Sequence, residues 1–323
     1  MLAANRSLMD RVVNNRRLIL HVGTHKTGTS ALQKLFLHHR DVLAASSVGL
    51  AEPPHPELGD HHYVVSFLEQ GPAGYDQFLA SLETGHDTTL LTSECLLPWL
   101  MMSDRAADLP AMLAPRFEVT VVLYLRRQDF LKESIFAEVA TCWYQGDIRD
   151  EHHYFYDFEA IVGRLVELFG AGALRVGIYR DDQPQDIAAD FLGLCGLERL
   201  TDRLGPVTRE RVSLDRRRVA VLALCPKDDP QHFARIREAV VGDPTLAADP
   251  CKYQLSPQER RAFLEPFIES NRRVARAFRP DAEDYLTGAV VVPERWAPPA
   301  PYSPAEVASL LVTLAGPPCS GGL

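Results

Sequence analysis

The chain has 323 residues, of which 46% are hydrophobic and 24% are charged, a composition typical of globular proteins that excludes a fibre or a disordered chain. A formal net charge of −9 argues against a partner that requires a basic surface, such as nucleic acid or an anionic membrane face. Apolar stretches are shorter than the roughly 20 residues of a membrane span, and charges interrupt the N-terminal segment where a signal peptide needs an apolar run.

Six cysteines are scattered along the chain without a CxxC pair. This usage is typical of reduced thiols in a cytosolic protein, so we expect a cytoplasmic location.

Four short apolar runs rich in β-branched residues punctuate the first 180 residues, and a helical pattern follows each of them. The runs begin at Leu18, Thr88, Val119 and Leu174. Strands that alternate with helices predict a three-layer α/β/α fold around a mostly parallel central sheet. Beyond residue 185 the strand pattern fades, and helices are expected to make up the C-terminal half.

Local signals set the ends of several predicted helices. The apolar periodicity over 158–169 stops at Gly170, a typical C-cap. Ser256 followed three residues later by Glu259 predicts a capping box, and Ser303 begins a similar segment near the C-terminus. The proline-rich residues between these two helices predict an extended strap.

These patterns predict one domain over residues 1–285, with residues 1–16 as an N-terminal extension. Residues 286–323 are expected to form the proline-rich strap and a short terminal helix packed on the same domain.

The segment HVGTHKTGTSALQ lies between the first predicted strand and the first predicted helix. A tight turn at this place exposes backbone N–H groups at the positive end of the helix dipole, which suits an anion. Gly23 and Gly28 have the spacing of the nucleotide-binding loop GxxxxGK[ST], but Thr29 occupies the place of the lysine. Lys26 instead precedes Gly28 by two residues, which indicates contact with a transferred group rather than a magnesium-bound triphosphate.

The segment THKTGTSALQ resembles the 5′-phosphosulfate-binding loop of sulfotransferases that use 3′-phosphoadenosine 5′-phosphosulfate (PAPS), with His25 in place of the common proline. The resemblance implies a fold like that of P-loop nucleotide-binding proteins, PAPS as sulfuryl donor, 3′,5′-bisphosphoadenosine (PAP) as product, and no required metal. It implies that Lys26 contacts the phosphosulfate and its bridging oxygen. The implied 5′-phosphate contacts are Thr27, Gly28, Thr29 and Ser30, and Thr24 is a further expected cofactor-binding residue.

A second motif of the same family is an arginine at the end of a strand and a serine eight residues later. The segment YLRRQDFLKES supplies Arg126 and Ser134 at this spacing. The resemblance implies that these two residues bind the 3′-phosphate, and a guanidinium is well suited to a phosphate dianion. The likeness extends loosely over roughly residues 17–285.

Sulfuryl transfer also requires a base that takes the proton of the acceptor hydroxyl. We rank Glu94 first, because it follows the second predicted strand and resembles the glutamate base of carbohydrate sulfotransferases. His25, inside the loop, is the next catalytic candidate, and His61 and His62 are candidates to reach in from an acceptor-binding loop.

Trp143 and Tyr144, together with the aromatic residues over 152–158, are either an acceptor platform or part of the core. Three histidine pairs lack the spacing of a metal site, because adjacent residues point in different directions, so no metal is predicted.

The sequence therefore predicts a PAPS-dependent sulfotransferase that acts on a hydroxyl, first of a carbohydrate or glycolipid and second of a small secondary metabolite. A P-loop kinase or NTPase is the less favoured enzyme class, and a binding module without activity is a third alternative. The oligomeric state stays open.

Overall fold

The computed structural model describes residues 16–151, 156–181, 186–207, 214–246, 249, 251–288 and 296–315. These residues divide into two compact units. The first unit takes its described residues from 16–127, 157–207 and 269–286, and the second takes them from 128–156, 214–268 and 287–315. The boundary at residue 285, between the domain and the strap with its terminal helix, stays a prediction.

Five strands and sixteen α-helices are present in the described residues. The strands are β1 (Arg17–His21), β2 (Val48–Leu50), β3 (Thr88–Thr92), β4 (Glu118–Arg126) and β5 (Leu174–Tyr179). The helices are α1 (Thr29–His38), α2 (Arg40–Ala44), α3 (Tyr63–Glu69), α4 (Pro72–Ser81), α5 (Leu96–Met102), α6 (Asp108–Leu113), α7 (Gln128–Val139), α8 (Phe158–Phe169), α9 (Ile187–Leu194), α10 (Thr201–Leu204), α11 (Arg216–Leu224), α12 (Pro230–Gly242), α13 (Pro257–Leu264), α14 (Ile268–Phe278), α15 (Glu283–Leu286) and α16 (Pro304–Ala315).

The strands of the first unit form one parallel sheet in the order β2-β3-β1-β4-β5. The four strands expected from the apolar runs are confirmed, and so is the parallel α/β/α fold. The sequence analysis missed β2, because a strand of three residues is too short to give a recognisable pattern.

Both faces of the sheet are covered by helices. Side chains alternate between faces along a strand, so Ile19 and its neighbours on one face pack against Leu32 and Phe36 of α1 and Phe191 of α9. Helix α8 packs against β4 and β5 and contacts α5. Leu18 and Leu20, which flank Ile19 in β1, are also fully buried, as expected for a strand covered on both faces.

The predicted helix ends are confirmed. Gly170 ends α8 with a φ of 81°. At the start of α13 the Ser256 N–H donates to Glu259 at 2.8 Å, and the Glu259 N–H donates back to the Ser256 hydroxyl at 3.2 Å. Ser303 and Glu306 form the same reciprocal pair at α16. Residues 1–15 of the predicted extension and residues 289–295 of the predicted strap lie outside the described residues.

Every regular element in the described residues of the second unit is a helix, and the unit has its own apolar clusters. One cluster joins α11 and α12 around Leu222, Phe233 and Ile236. Arg260 of α13 is buried and forms ion pairs with Asp129 at 2.9 Å and Glu133 at 3.0 Å. All described elements after β5 are helices, as the sequence predicted for the C-terminal half.

Candidate functional site

The loops that follow four of the strands gather at one edge of the first unit's sheet. In a parallel sheet the carboxyl ends of the strands meet at the same edge, which is the usual position of a ligand site. Residues 22–28 follow β1, Ser93 and Glu94 follow β3, Arg126 ends β4, and Asp181 lies two residues beyond β5.

The loop after β1 is held in a strained backbone conformation. Lys26 has a φ of 65° and Gly28 a φ of 82°, both in the left-handed region that residues other than glycine rarely adopt. A Cβ on Gly28 would lie 2.7 Å from the Ile187 Cδ1 atom, so a larger residue does not fit without movement. Strain of this kind is concentrated at ligand sites. Helix α1 begins directly afterwards, and the first N–H groups of a helix have no intrahelical acceptor.

The threonine hydroxyls of the loop are turned into the protein. Thr24 donates to the Tyr124 carbonyl at 2.9 Å, and Thr27 donates to the Thr24 carbonyl at 2.7 Å. The Thr29 hydroxyl lies 3.3 Å from that of Thr27, and all three side chains are buried. In this conformation these three hydroxyls shape the loop rather than face a ligand. Hydrogen bonds to an anion would therefore come from the exposed Ser30 and from the backbone N–H groups.

Arg126 joins this loop to the end of β5. Its Nη1 donates to the Lys26 carbonyl at 3.0 Å, and its Nε donates to Asp181 at 2.7 Å within a bidentate ion pair. A guanidinium has five N–H donors, and the described residues accept from three of them. Arg126 therefore keeps donor capacity for an anion, although it already faces one carboxylate.

Further positive charge surrounds Tyr285 in the same unit. The Arg127 guanidinium is buried 5.2 Å from the centre of the Tyr285 ring, and that of Arg180 lies 4.9 Å from it. The Tyr285 hydroxyl accepts from the Asp181 N–H at 3.2 Å and donates to the Tyr179 carbonyl at 3.3 Å. This tyrosine therefore fixes the strand end at which Asp181 meets Arg126.

His25 and Glu94 form an ion pair at the same edge. The His25 Nδ1 atom lies 3.0 Å from the Glu94 carboxylate, whose side chain is mostly buried, whereas His25 is about one third exposed. Burial is the largest influence on Glu94 and opposes its charged form, but the hydrogen bond and charge of His25, with the charges of His62 and His21, together hold the pKa of this carboxyl below its ordinary value. His62 adds to that effect, and its Nδ1 lies 3.0 Å from the Ser93 hydroxyl.

Two other histidines at this edge are fully buried. The His61 Nε2 atom is bonded to the Ala51 carbonyl at 2.9 Å, and its Nδ1 lies 3.1 Å from the Thr92 N–H. Both ring nitrogens are thus occupied by backbone, so the structure offers no support for His61 as an acceptor contact. His21, which the sequence analysis did not select, lies under the loop with its Nδ1 2.9 Å from the Thr92 hydroxyl. Burial lowers the pKa of His21 to about 4.

Three predicted site residues belong to the second unit. Ser134 lies in α7 and is half-buried. Trp143 is 69% exposed, with its ring edge-on to Tyr144. Tyr144 is half-buried, contacts Phe136 and donates to the Asp147 carbonyl at 2.9 Å. The roles assigned to these residues stay predictions, and His152 and His153 lie outside the described residues.

No protein-family model matches the chain, and no curated protein matches its sequence. The resemblance to sulfotransferases therefore stays a prediction. Within the described ranges, histidine, cysteine and carboxylate side chains do not gather into a group able to hold a metal ion, and no helix is long and apolar enough to cross a membrane.

The sequence analysis missed Asp181, His21 and Tyr285. Asp181 and His21 could have been found, because each is a polar residue at the carboxyl end of a predicted strand. Tyr285 is more than 100 residues from Tyr179 and Asp181 in the chain, and its position depends on packing that no local pattern reveals.

Proposed function

We propose that the protein is a sulfotransferase that transfers the sulfuryl group of PAPS to an acceptor hydroxyl, first of a carbohydrate or glycolipid and second of a small metabolite. The observation that carries the proposal is the hydrogen bond from Arg126 to the Lys26 carbonyl at 3.0 Å. It holds the arginine of the second motif against the loop of the first at one sheet edge, although 100 residues separate Lys26 and Arg126 in the chain.

The residues of the first unit fit such a donor. The backbone of the loop and the start of α1 supply N–H groups for the 5′-phosphate, and Lys26 supplies a cation for the charge that develops on the bridging oxygen. Arg126 supplies its remaining N–H donors to the 3′-phosphate. Transfer breaks the bond between sulfur and this bridging oxygen and forms one between sulfur and the acceptor oxygen, whose proton passes to a base.

The geometry favours His25 as this base, with Glu94 as its positioning residue. A carboxylate with a lowered pKa is a weaker base, and Glu94 is already engaged with the His25 Nδ1 atom. When Glu94 accepts the proton on Nδ1, the Nε2 atom of the ring carries the lone pair that takes a proton. His25 thus precedes Glu94 as the candidate base, whereas the sequence analysis ranked Glu94 first.

Loss of activity in His25→Ala that added imidazole restores would support His25 as the base. In Glu94→Gln the histidine loses its charged partner, so the pH-rate profile should shift to lower pH with activity retained in part. Complete loss in Glu94→Gln together with nearly full activity in His25→Ala would return the role of base to Glu94.

Isothermal titration calorimetry tests the donor site. We expect the protein to bind PAP more tightly than ATP with magnesium, because Thr29 stands where a nucleotide loop has its lysine. The Arg126 contact is tested by PAP binding to the double variant Arg126→Gln, Asp181→Asn. Both residues are changed because loss of the arginine alone leaves a buried carboxylate without its cation. Arg175→Gln, at the opposite end of β5, is the control and should bind PAP like the wild type.

Tighter binding of ATP with magnesium than of PAP would overturn the proposal in favour of a P-loop kinase or NTPase. Incubation with labelled PAPS and a panel of glycans, glycolipids and phenols then identifies the acceptor. Binding of PAP without transfer to any acceptor class would favour a binding module.

A further inference from the structure

The second unit contains a cavity of about 630 Å³, which lies within the size range of small-molecule sites. It is lined by residues of α7 and α11, by residues 146–149, by the segment that leads into α13, and by residues 296–299. No residue assigned to the donor site lines it.

The wall of the cavity combines an aromatic ring with aliphatic side chains. Trp296, Ile148 and Leu224 all contribute to it. The Arg216 guanidinium lies 5.9 Å from the centre of the Trp296 ring and limits the positions of the indole. Leu224 is 72% exposed, an unusual amount of apolar surface for a residue that lines a cavity. The wall thus offers a flat apolar surface to a ligand.

Carboxylates outnumber cations in the lining of the cavity. Arg149 bonds to Asp147 at 2.9 Å and to Glu259 at 2.7 Å, so one cation lies between two carboxylates. The lining includes no lysine and no second arginine among the described residues. A negatively charged ligand would therefore meet no uncompensated cation, and the lining disfavours phosphates, sulfates and uronic acids.

The remaining polar side chains are two neutral amides and the Ser256 hydroxyl, which accepts from the Glu259 N–H. The Gln254 amide nitrogen donates to the Arg216 carbonyl at 2.8 Å, which fixes that side chain at the cavity. Gln258 lies exposed in the first turn of α13 and offers both an amide donor and a carbonyl acceptor. Amide groups and carboxylate oxygens beside an aromatic ring match the hydroxyl groups and the apolar C–H face of a sugar ring.

The geometry points to a binding site for a neutral saccharide in the second unit, with a sugar ring stacked on Trp296 and its hydroxyls bonded to the surrounding amides and carboxylates. As a site for saccharide the inference stands on the cavity alone.

Saturation-transfer NMR on the full chain tests the inference with three probes: a neutral disaccharide such as cellobiose, digalacturonic acid, and 1-hexanol. We expect transfer to the disaccharide and little to digalacturonic acid. Ala220→Phe, which fills the cavity without removing a contact, should weaken disaccharide binding at least tenfold. Gln258→Ala, an exposed change, should weaken it severalfold, and Leu311→Ala in α16, exposed and outside the cavity, should leave it unchanged.

Absence of binding to the disaccharide, equal binding of digalacturonic acid, binding of hexanol alone, or wild-type affinity in Ala220→Phe would each overturn the saccharide site. Circular dichroism confirms that every variant is folded. Titration of the same samples with PAP separates the two proposals: binding of PAP without saccharide overturns only this inference, whereas binding of saccharide without PAP overturns only the proposed donor site.

Discussion

Replacement of Gly28 by alanine tests the loop geometry on which the donor site depends. Alanine at a φ of 82° costs about 1–2 kcal/mol in the left-handed region. Its Cβ would lie 2.7 Å from the Ile187 Cδ1 atom and 3.3 Å from the Tyr179 ring, and overpacking of this kind costs about 1–3 kcal/mol. We therefore expect the free energy of unfolding to fall by about 2–5 kcal/mol.

Urea unfolding followed by circular dichroism measures this change, and calorimetry with PAP measures its effect on the loop. Binding of PAP should weaken at least tenfold, because the N–H groups at the start of α1 lose their alignment. The matched control is Gly163→Ala in α8, where a Cβ meets no atom within 4 Å. An open helical site should gain about 0.5–1 kcal/mol from this change. Equal free energies of unfolding for Gly28→Ala and Gly163→Ala would contradict the claim that the loop is strained.

Three further predictions concern charge. Asp181→Asn removes the carboxylate that competes with the 3′-phosphate for Arg126, so PAP should bind about tenfold more tightly, a gain of about 1.4 kcal/mol. Unchanged or weaker binding of PAP contradicts the proposed contact between Arg126 and the 3′-phosphate. The pKa of His21 falls from 6.5 to about 4 on burial, so the unfolded chain binds more protons between these pH values. Stability should therefore decline by about 3 kcal/mol as the pH falls through that window, and the decline should be smaller in His21→Gln. Lys26→Ala should lower the rate of sulfuryl transfer about 100-fold or more without changing the free energy of unfolding, and Lys34→Ala in α1 serves as control. Full activity of Lys26→Ala would remove Lys26 from the mechanism.

Elements with a strong local pattern were predictable from the sequence. The four runs that became β1, β3, β4 and β5 are bounded by turns and followed by helices, and the capping box at Ser256 depends on residues three apart. Such features are decided within a few residues, because helix caps and apolar periodicity are local. The loop between β1 and α1 was recognisable for the same reason.

The partners of the site residues were not predictable. Thr24 and Thr27 were expected to bind the cofactor, but their hydroxyls bond to protein carbonyls. The ion pairs of Arg126 with Asp181 and of His25 with Glu94 join residues at the ends of different strands, and the cavity in the second unit is lined from five separate segments.

By itself the sequence determined the parallel α/β architecture, the helical second half and the position of the strained loop, since each follows from residue order over short distances. Tertiary structure alone decided which charges face one another. Ion pairs depend on distances across the sheet edge, and those distances are set by how whole strands and helices pack. For this reason the sequence marked Arg126 and Glu94 as candidates, and only the fold showed that each already has a partner.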